Sequence, residues 1–286
     1  MNNGILIFAH NSTAIDYALM SLIAGGLAKK NLNVPVSLAT DETTIAWMKT
    51  SDIYDRAVKI FDKIITVDKP KTDNKRRLYD GIGSEMVPFA NTNRSSAWEI
   101  TPYDRTLLID SDFLIFSDAL NEYWSSEEVL ISSAMNDLYE TNRAGYHDRY
   151  VSDTGVQLYW ATTVMFSKND NSKRFFELVD YVKTHYQYYG DLFRFETRQY
   201  RNDISFSVAK HILDGFETNT IGCLPPILTT IDKHLLHKVD ITGKLTFLVT
   251  PNLDSNFCAT TIANTDIHIM NKQSIIRNAQ SLLELI

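Results

Sequence analysis

The chain has 286 residues, 44% hydrophobic and 22% charged, an ordinary composition for a soluble globular protein with a large core. With 28 Lys and Arg against 35 Asp and Glu the formal net charge is −7, which argues against a general clamp for duplex DNA but leaves room for a local basic groove. No apolar run approaches the ~18 residues of a membrane span, and the N-terminus lacks a signal-type apolar region. The two cysteines, Cys223 and Cys258, form neither a metal nor a redox motif. The expected location is therefore the cytoplasm, or the host cytoplasm if the source is viral.

Residues 4–9, GILIFA, read as a buried strand. A turn follows, and then Ile15, Leu19, Leu22, Ile23 and Leu27 recur at helical spacing. A strand over 34–40, a short helix over 43–49 and a strand over 63–67 complete an alternation that predicts a parallel, helix-covered sheet. Residues 68–80, DKPKTDNKRRLYD, read as a polar loop or flap in which Lys75, Arg76 or Arg77 could contact phosphate. A helix over 94–101 leads into a strand ending at Asp110. Further strands are expected over 129–134, 156–166, 245–250 and 266–270, with helices over 173–186 and 203–213. The rings of Tyr186, Tyr188, Tyr189, Phe193, Phe195 and Tyr200, interleaved with Arg194, Arg198 and Arg201, either pack inward or form an acceptor platform.

The most informative stretch is Leu107-Leu108-Ile109-Asp110-Ser111-Asp112-Phe113-Leu114-Ile115-Phe116. Two carboxylates within an apolar run are costly to bury and repel each other. A divalent cation resolves the conflict, and side chains two apart on a strand share an edge. Mg²⁺ and Mn²⁺ take such oxygen sites and complete their shells with substrate phosphates. Ligands of open α/β sheets sit at the carboxyl ends of strands. His268, in the apolar run Ile267-His268-Ile269-Met270, is either a satisfied core histidine or a third ligand.

The segment from Pro102 through Tyr103-Asp104, Asp110-Ser111-Asp112 and Asp118 to Trp124 resembles family 8 glycosyltransferases of the GT-A fold. Met135-Asn136-Asp137, Val156–Lys168, Arg201-Asn202-Asp203 and Ile267–Lys272 are similar, in order, to the family's later segments. The resemblance implies an α/β fold: a GT-A type, Rossmann-like mixed sheet flanked by helices. It implies one domain over 1–272, divided into a nucleotide-binding half (1–112) and an acceptor half (113–272), with a C-terminal helix over 273–286. It further implies that Asp110, Asp112 and His268 hold Mn²⁺ or Mg²⁺. Ala9, His10, Asn11, Asp41, Arg94, Asp110, Ser111 and Lys272 would bind the nucleotide sugar. Asp137, Asn202 and Asp203 would face the reacting sugars. The implied reaction moves a sugar from a nucleoside diphosphate, UDP by resemblance, to a hydroxyl acceptor with retention. The acceptor would be a saccharide or a hydroxymethylated base in phage-type DNA.

The chain departs from the family pattern around the transferred sugar. Asn-Ala-Gly becomes Ala161-Thr162-Thr163, and Asp-Gln-Asp becomes Arg201-Asn202-Asp203. An inactive nucleotide-sugar binding module is therefore the alternative. A nucleotidyltransferase should carry a glycine-rich loop after its first strand, which His10-Asn11-Ser12-Thr13 is not. An aspartate-nucleophile phosphatase would carry its pair at the end of that strand, which has no Asp.

Overall fold

In the computed structural model, residues 2–51, 53–79, 83–138, 149–152, 156–196, 199–215, 222–249 and 257–286 are described. The chain enters through β1 (Asn3–Phe8), whose Ile5, Leu6 and Ile7 are wholly buried. A strand apolar on both faces is what a helix-covered parallel sheet requires. Asp16 caps α1 (Tyr17–Leu32) by accepting from the Leu19 N–H. This helix is buried nearly all round rather than along one stripe, because it lies between the sheet and the C-terminal helices. Gly25 and Gly26 allow the close fit: a Cβ would meet Phe61 at 2.7 Å from the first and Ile286 at 2.6 Å from the second.

β2 (Val36–Thr40), α2 (Glu42–Lys49), α3 (Ile53–Ile60) and β3 (Lys63–Thr66) extend the alternation; α3 is not among the expected elements. The segment expected as a loop at 68–80 contains a strand. β4 (Lys75–Tyr79) pairs antiparallel with β5 (Ser84–Pro88). Only Leu78 and Val87 of this ribbon are buried, so its apolar pattern is too sparse to read. A 3₁₀ turn (Arg94–Ser96) and α4 (Ala97–Ile100) precede β6 (Arg105–Ile109).

Next come β7 (Phe113–Leu114), β8 (Leu130–Ser132), β9 (Met135–Asp137) and β10 (Trp160–Ser167). The expected strand over 156–166 thus starts later, at Trp160. Helices Asp170–Thr184, Tyr186–Phe193 and Asn202–Leu213 follow, then β11 (Cys223–Leu224) and β12 (Ile227–Thr229). β13 (Leu235–Val239), β14 (Leu245–Val249) and β15 (Cys258–Ile262) form an antiparallel meander. β16 (Ile267–His268) ends the strands. The C-terminal segment, expected as one helix over 273–286, is two short ones, Lys272–Arg277 and Ala279–Leu283, separated at Asn278.

The main sheet runs β11-β8-β10-β6-β1-β2-β3. β6, β1, β2 and β3 are parallel, and β10 is antiparallel to both β6 and β8. A second sheet, β7-β16-β12-β9, sits at the carboxyl end of β6. This mixed sheet with helices on its faces is the architecture expected of the sequence. The aromatic segment after His185 packs mainly inward: Tyr186, Tyr189 and Phe195 are buried, whereas Tyr188 is exposed. Arg198 lies outside the described residues.

Candidate functional site

The carboxylate pair does not lie within a strand. β6 stops at Ile109, and Asp110-Ser111-Asp112 forms a turn that carries the chain into the second sheet. The turn is pinned on both sides. Asp110 N–H donates to the Thr162 carbonyl of β10 (3.0 Å), Phe113 N–H to the Asp110 carbonyl (3.2 Å), and Ile269 N–H to the Asp112 carbonyl (2.9 Å). The two side chains converge because of this turn, not through strand alternation.

His268 arrives by the pairing of two very short strands. β16 runs antiparallel to β7 with His268 opposite Phe113, which sets the imidazole beside Asp112. Its Nε2 lies 3.3 Å from Asp112 Oδ1. One ligand atom each from Asp110, Asp112 and His268 falls within 4.8 Å of the others. Two carboxylate oxygens and one imidazole nitrogen suit a hard divalent ion, and the imidazole favours Mn²⁺ over Mg²⁺. The His268 Nδ1 is buried and has no hydrogen-bond partner among the described residues.

Two cations flank the group. Buried Arg94 places Nη1 2.7 Å from Asp110 Oδ1, and Lys272 places Nζ 2.7 Å from Asp112 Oδ2. Burial pushes the Asp110 carboxyl above its ordinary value, with Arg94 opposing and Asp112 adding to the rise. At Asp112 burial acts the same way but is outweighed by Lys272 and His268, and its carboxyl falls below the usual range. Lys272 loses some charge stability to burial and regains more from Asp112, so its ammonium titrates above the ordinary lysine value.

These residues line a cavity of about 250 Å³ at the carboxyl ends of β1 and β6, together with Phe8, Tyr17, Arg76, Asn91, Trp160, Thr162, Arg201, Asn202, Asp203 and Asp232. Phe89 separates it from, and also lines, a wider cleft of about 750 Å³ formed by residues 11–16, Thr43, Trp47, Lys69 and Gln273. Arg76 of the ribbon stacks its guanidinium 4.6 Å from the Phe89 ring. Burial raises the Tyr17 phenol to about 12, so it stays a neutral donor.

Of the residues expected at the site, Asp110, Ser111, Asp112, Arg94, Asn202, Asp203, His268 and Lys272 share the smaller cavity, and Asn11 lines the wider cleft. Ala9, His10 and Asp41 are buried beneath and line neither. Asp41 caps α2 and accepts from Thr44 N–H (3.0 Å), both threonine hydroxyls and His10 Nδ1 (2.8 Å). Asp203 accepts from Ala161 N–H (3.1 Å) and pairs with Arg201 (3.2 Å), so it fixes the start of β10. Asp137 is buried in β9 with His234 Nδ1 3.7 Å away and lines neither cavity. The structure adds Tyr17, Asn91, Trp160 and Asp232. Trp160 stood in a run read for its β propensity, and nothing in the local sequence marks the other three.

No family model and no curated protein matches this chain. Solved structures do. An active-site mutant of LgtC superposes with a TM-score of 0.50 at 13% identity, covering 99% of this chain and 94% of that one. The galactosyltransferase LgtC in complex with donor and acceptor sugar analogues gives 0.43 at 15% identity over 72% and 70%. Mouse xyloside xylosyltransferase 1 gives 0.44 at 11% identity over 79% and 86%. At 13% identity over nearly the whole of both chains the likeness to the LgtC mutant is one of fold, and that fold is the GT-A fold of glycosyltransferases.

Proposed function

We propose that this protein is a metal-dependent glycosyltransferase that moves a sugar from a UDP-sugar to a hydroxyl of a saccharide acceptor, with retention at the anomeric carbon. The observation that carries the reading is the convergence of Asp110, Asp112 and His268 ligand atoms within 4.8 Å, flanked by Arg94 and Lys272, in a cavity at the strand ends. Carboxylate and imidazole ligands beside two cations match the charge of a cation–diphosphate pair.

Asp110, Asp112 and His268 would hold the ion, which when bound would supply Lewis-acid neutralisation of the diphosphate leaving group. Arg94 and Lys272 neutralise the carboxylates in the ion-free protein. With those carboxylates holding the ion, Arg94 and Lys272 would be free to turn to the phosphate oxygens, where they would offset charge developing as the bond to the leaving group breaks. Arg76, stacked on Phe89 in the cavity wall, would help shield the diphosphate from water. The wider cleft next door is the place for the nucleoside, with the indole of Trp47 at its rim.

Incubation with Mn²⁺ and a panel of nucleotide sugars, reading released nucleoside diphosphate, tests the proposal. Metal-dependent release from one donor, lost in Asp112→Asn, is the expected result. Tight nucleotide-sugar binding with no release, with or without saccharide acceptors, would favour the inactive binding module instead. Absence of both metal and nucleotide binding would overturn the reading.

A further inference from the structure

The ribbon of β4 and β5 carries charge that the site described above does not use. Its register sorts the side chains by face, because strand neighbours alternate. Arg76, Leu78, Glu85 and Val87 share the inner face, where Leu78 and Val87 are buried and Arg76 stacks on Phe89. Lys75, Arg77 and Tyr79, with Ser84, Met86 and Pro88 opposite them, share the outer face. All of these but Tyr79 are exposed, and Met86 keeps 52% of its surface in solvent.

This outer face holds two cations and, among the described residues, no carboxylate. Lys75 and Arg77 stand two residues apart on one strand, about 7 Å by strand rise, so they repel each other. Among the described residues neither pairs with an acid. The ribbon is tied down at its base. Asn74 Nδ2 donates to the Tyr200 carbonyl and Asn74 Oδ1 accepts from the Tyr200 N–H, both at 2.9 Å, and Lys75 N–H donates to Gln199 Oε1 at 2.6 Å. Arg77 lines the small cavity together with Arg76. The cationic face therefore stands at the rim of that cavity rather than on a remote surface.

The proposed diphosphate site already draws on Arg94, Lys272 and Arg76, which leaves Lys75 and Arg77 unused by the donor. What approaches the rim from solvent is the acceptor. We infer that the acceptor is an anionic saccharide, whose phosphate or carboxylate seats between Lys75 and Arg77. This rests on the glycosyltransferase reading above and names the acceptor class. Two cations at this spacing match the oxygens of one such group. Exposed Met86, directly opposite Arg77, offers apolar surface to the sugar ring that carries the charge. A nucleic acid fits less well, since a polyanion would meet the rest of a chain whose net charge is −7.

Acceptor choice tests the inference. With Mn²⁺ and the best UDP-sugar, product formation is measured on octyl glycosides of glucose and galactose, each offered as the neutral sugar, the 6-phosphate and the uronic acid. A single-stranded oligonucleotide is a further arm. The expected result is a kcat/KM roughly 5- to 20-fold higher for one charged form than for its neutral parent, the worth of two exposed ion pairs. That preference should vanish at about 1 M salt, and the phosphate and uronate arms tell which anion is read. Lys75→Gln combined with Arg77→Gln should bring the ratio close to one, and Lys75→Arg should keep it. UDP affinity with Mn²⁺, by calorimetry, should stay within about two-fold in every variant, since the diphosphate is held elsewhere. Neutral parents used as well as their charged forms, a preference untouched by the double variant, transfer to the oligonucleotide instead, or transfer to none of the charged forms overturns the inference. Failure of the native protein to bind UDP with Mn²⁺ would instead bring down the glycosyltransferase reading, and this inference with it.

Discussion

Two groups of acidic side chains stand at carboxyl ends of the two strands that flank β1, and they are finished differently. Asp41, after β2, has both carboxylate oxygens occupied by protein donors: Thr44 N–H, two threonine hydroxyls and the His10 imidazole. After β6, Asp110 is held by Arg94 and Asp112 by Lys272 and His268, and both carboxylates face a cavity. The first arrangement spends every lone pair on the fold. The second leaves carboxylate capacity for something absent from the chain. Position at a strand end is thus shared by anchor and ligand alike, and the number of protein donors tells them apart.

That contrast predicts opposite consequences for one isosteric change. Asp112→Asn removes a metal-binding charge and should lower nucleotide release by roughly 10³-fold, the scale of losing one strong transition-state interaction. Asp110→Asn should match it in activity. Its thermal unfolding without metal should also come earlier than in the native protein, because the change leaves buried Arg94 without its counter-charge. Asp41→Asn should do the reverse. It breaks a buried, fully bonded pair and a helix cap, which costs about 3 kcal/mol of stability, while activity per folded molecule falls far less than in Asp112→Asn. Denaturant titration and initial rates on all three variants would break the comparison if Asp41→Asn proved as inactive as Asp112→Asn at full folding.

Ligand binding sharpens the same contrast at a smaller scale. Mn²⁺ with a nucleoside diphosphate at about 100 times its dissociation constant should add about 2.7 kcal/mol to the folded state. Differential scanning calorimetry should register it as an upward shift of Tm by several degrees. The shift should persist in Asp41→Asn and vanish in Asp112→Asn. A shift that survives in Asp112→Asn would place the ion elsewhere.

How far the sequence could announce this contrast differs between the two groups. Asp110 and Asp112 stood out because their apolar flanks make the carboxylates conspicuous, although the turn that brings them together reads as strand; His268 stood out as a lone imidazole in an apolar run, with a core role and a ligand role both open. Asp41 was read as a ligand on position alone. Its donors, Thr43, Thr44 and a histidine 31 positions back, become meaningful only when β1 and β2 are seen side by side. Asn91 and Tyr17 reach the cavity by tertiary packing, with no periodicity or motif to mark them. Composition likewise hid the β4–β5 ribbon, since a two-stranded element with one buried residue on each strand has no hydrophobic signature.

The smallest effect is the one most specific to the buried anchor. Burial lowers the pKa of His10, with the Asp41 bond and charge opposing the drop. A histidine whose folded pKa lies below its unfolded value, near 6.5, contributes stability that is complete above that value. The contribution is lost as pH falls through the folded pKa, because the unfolded chain takes up the proton first. Asp41 behaves likewise in a lower window. Burial works against its charge, but Thr43, His10 and Thr44 outweigh it, and its contribution is complete above about pH 4 and fades below. Stability measured by denaturant titration should therefore fall in two separate limbs on acidification. His10→Gln should flatten the upper limb, which sets in below about pH 7, and leave the lower one. Asp41→Asn should flatten the lower limb and, by removing the partner that holds the His10 pKa up, extend the upper limb further into the acid range while its start stays put. If the native protein instead gained stability as pH fell through about 6.5, and His10→Gln abolished that gain, His10 would be charged in the folded state and the neutral reading of this anchor would have to be abandoned.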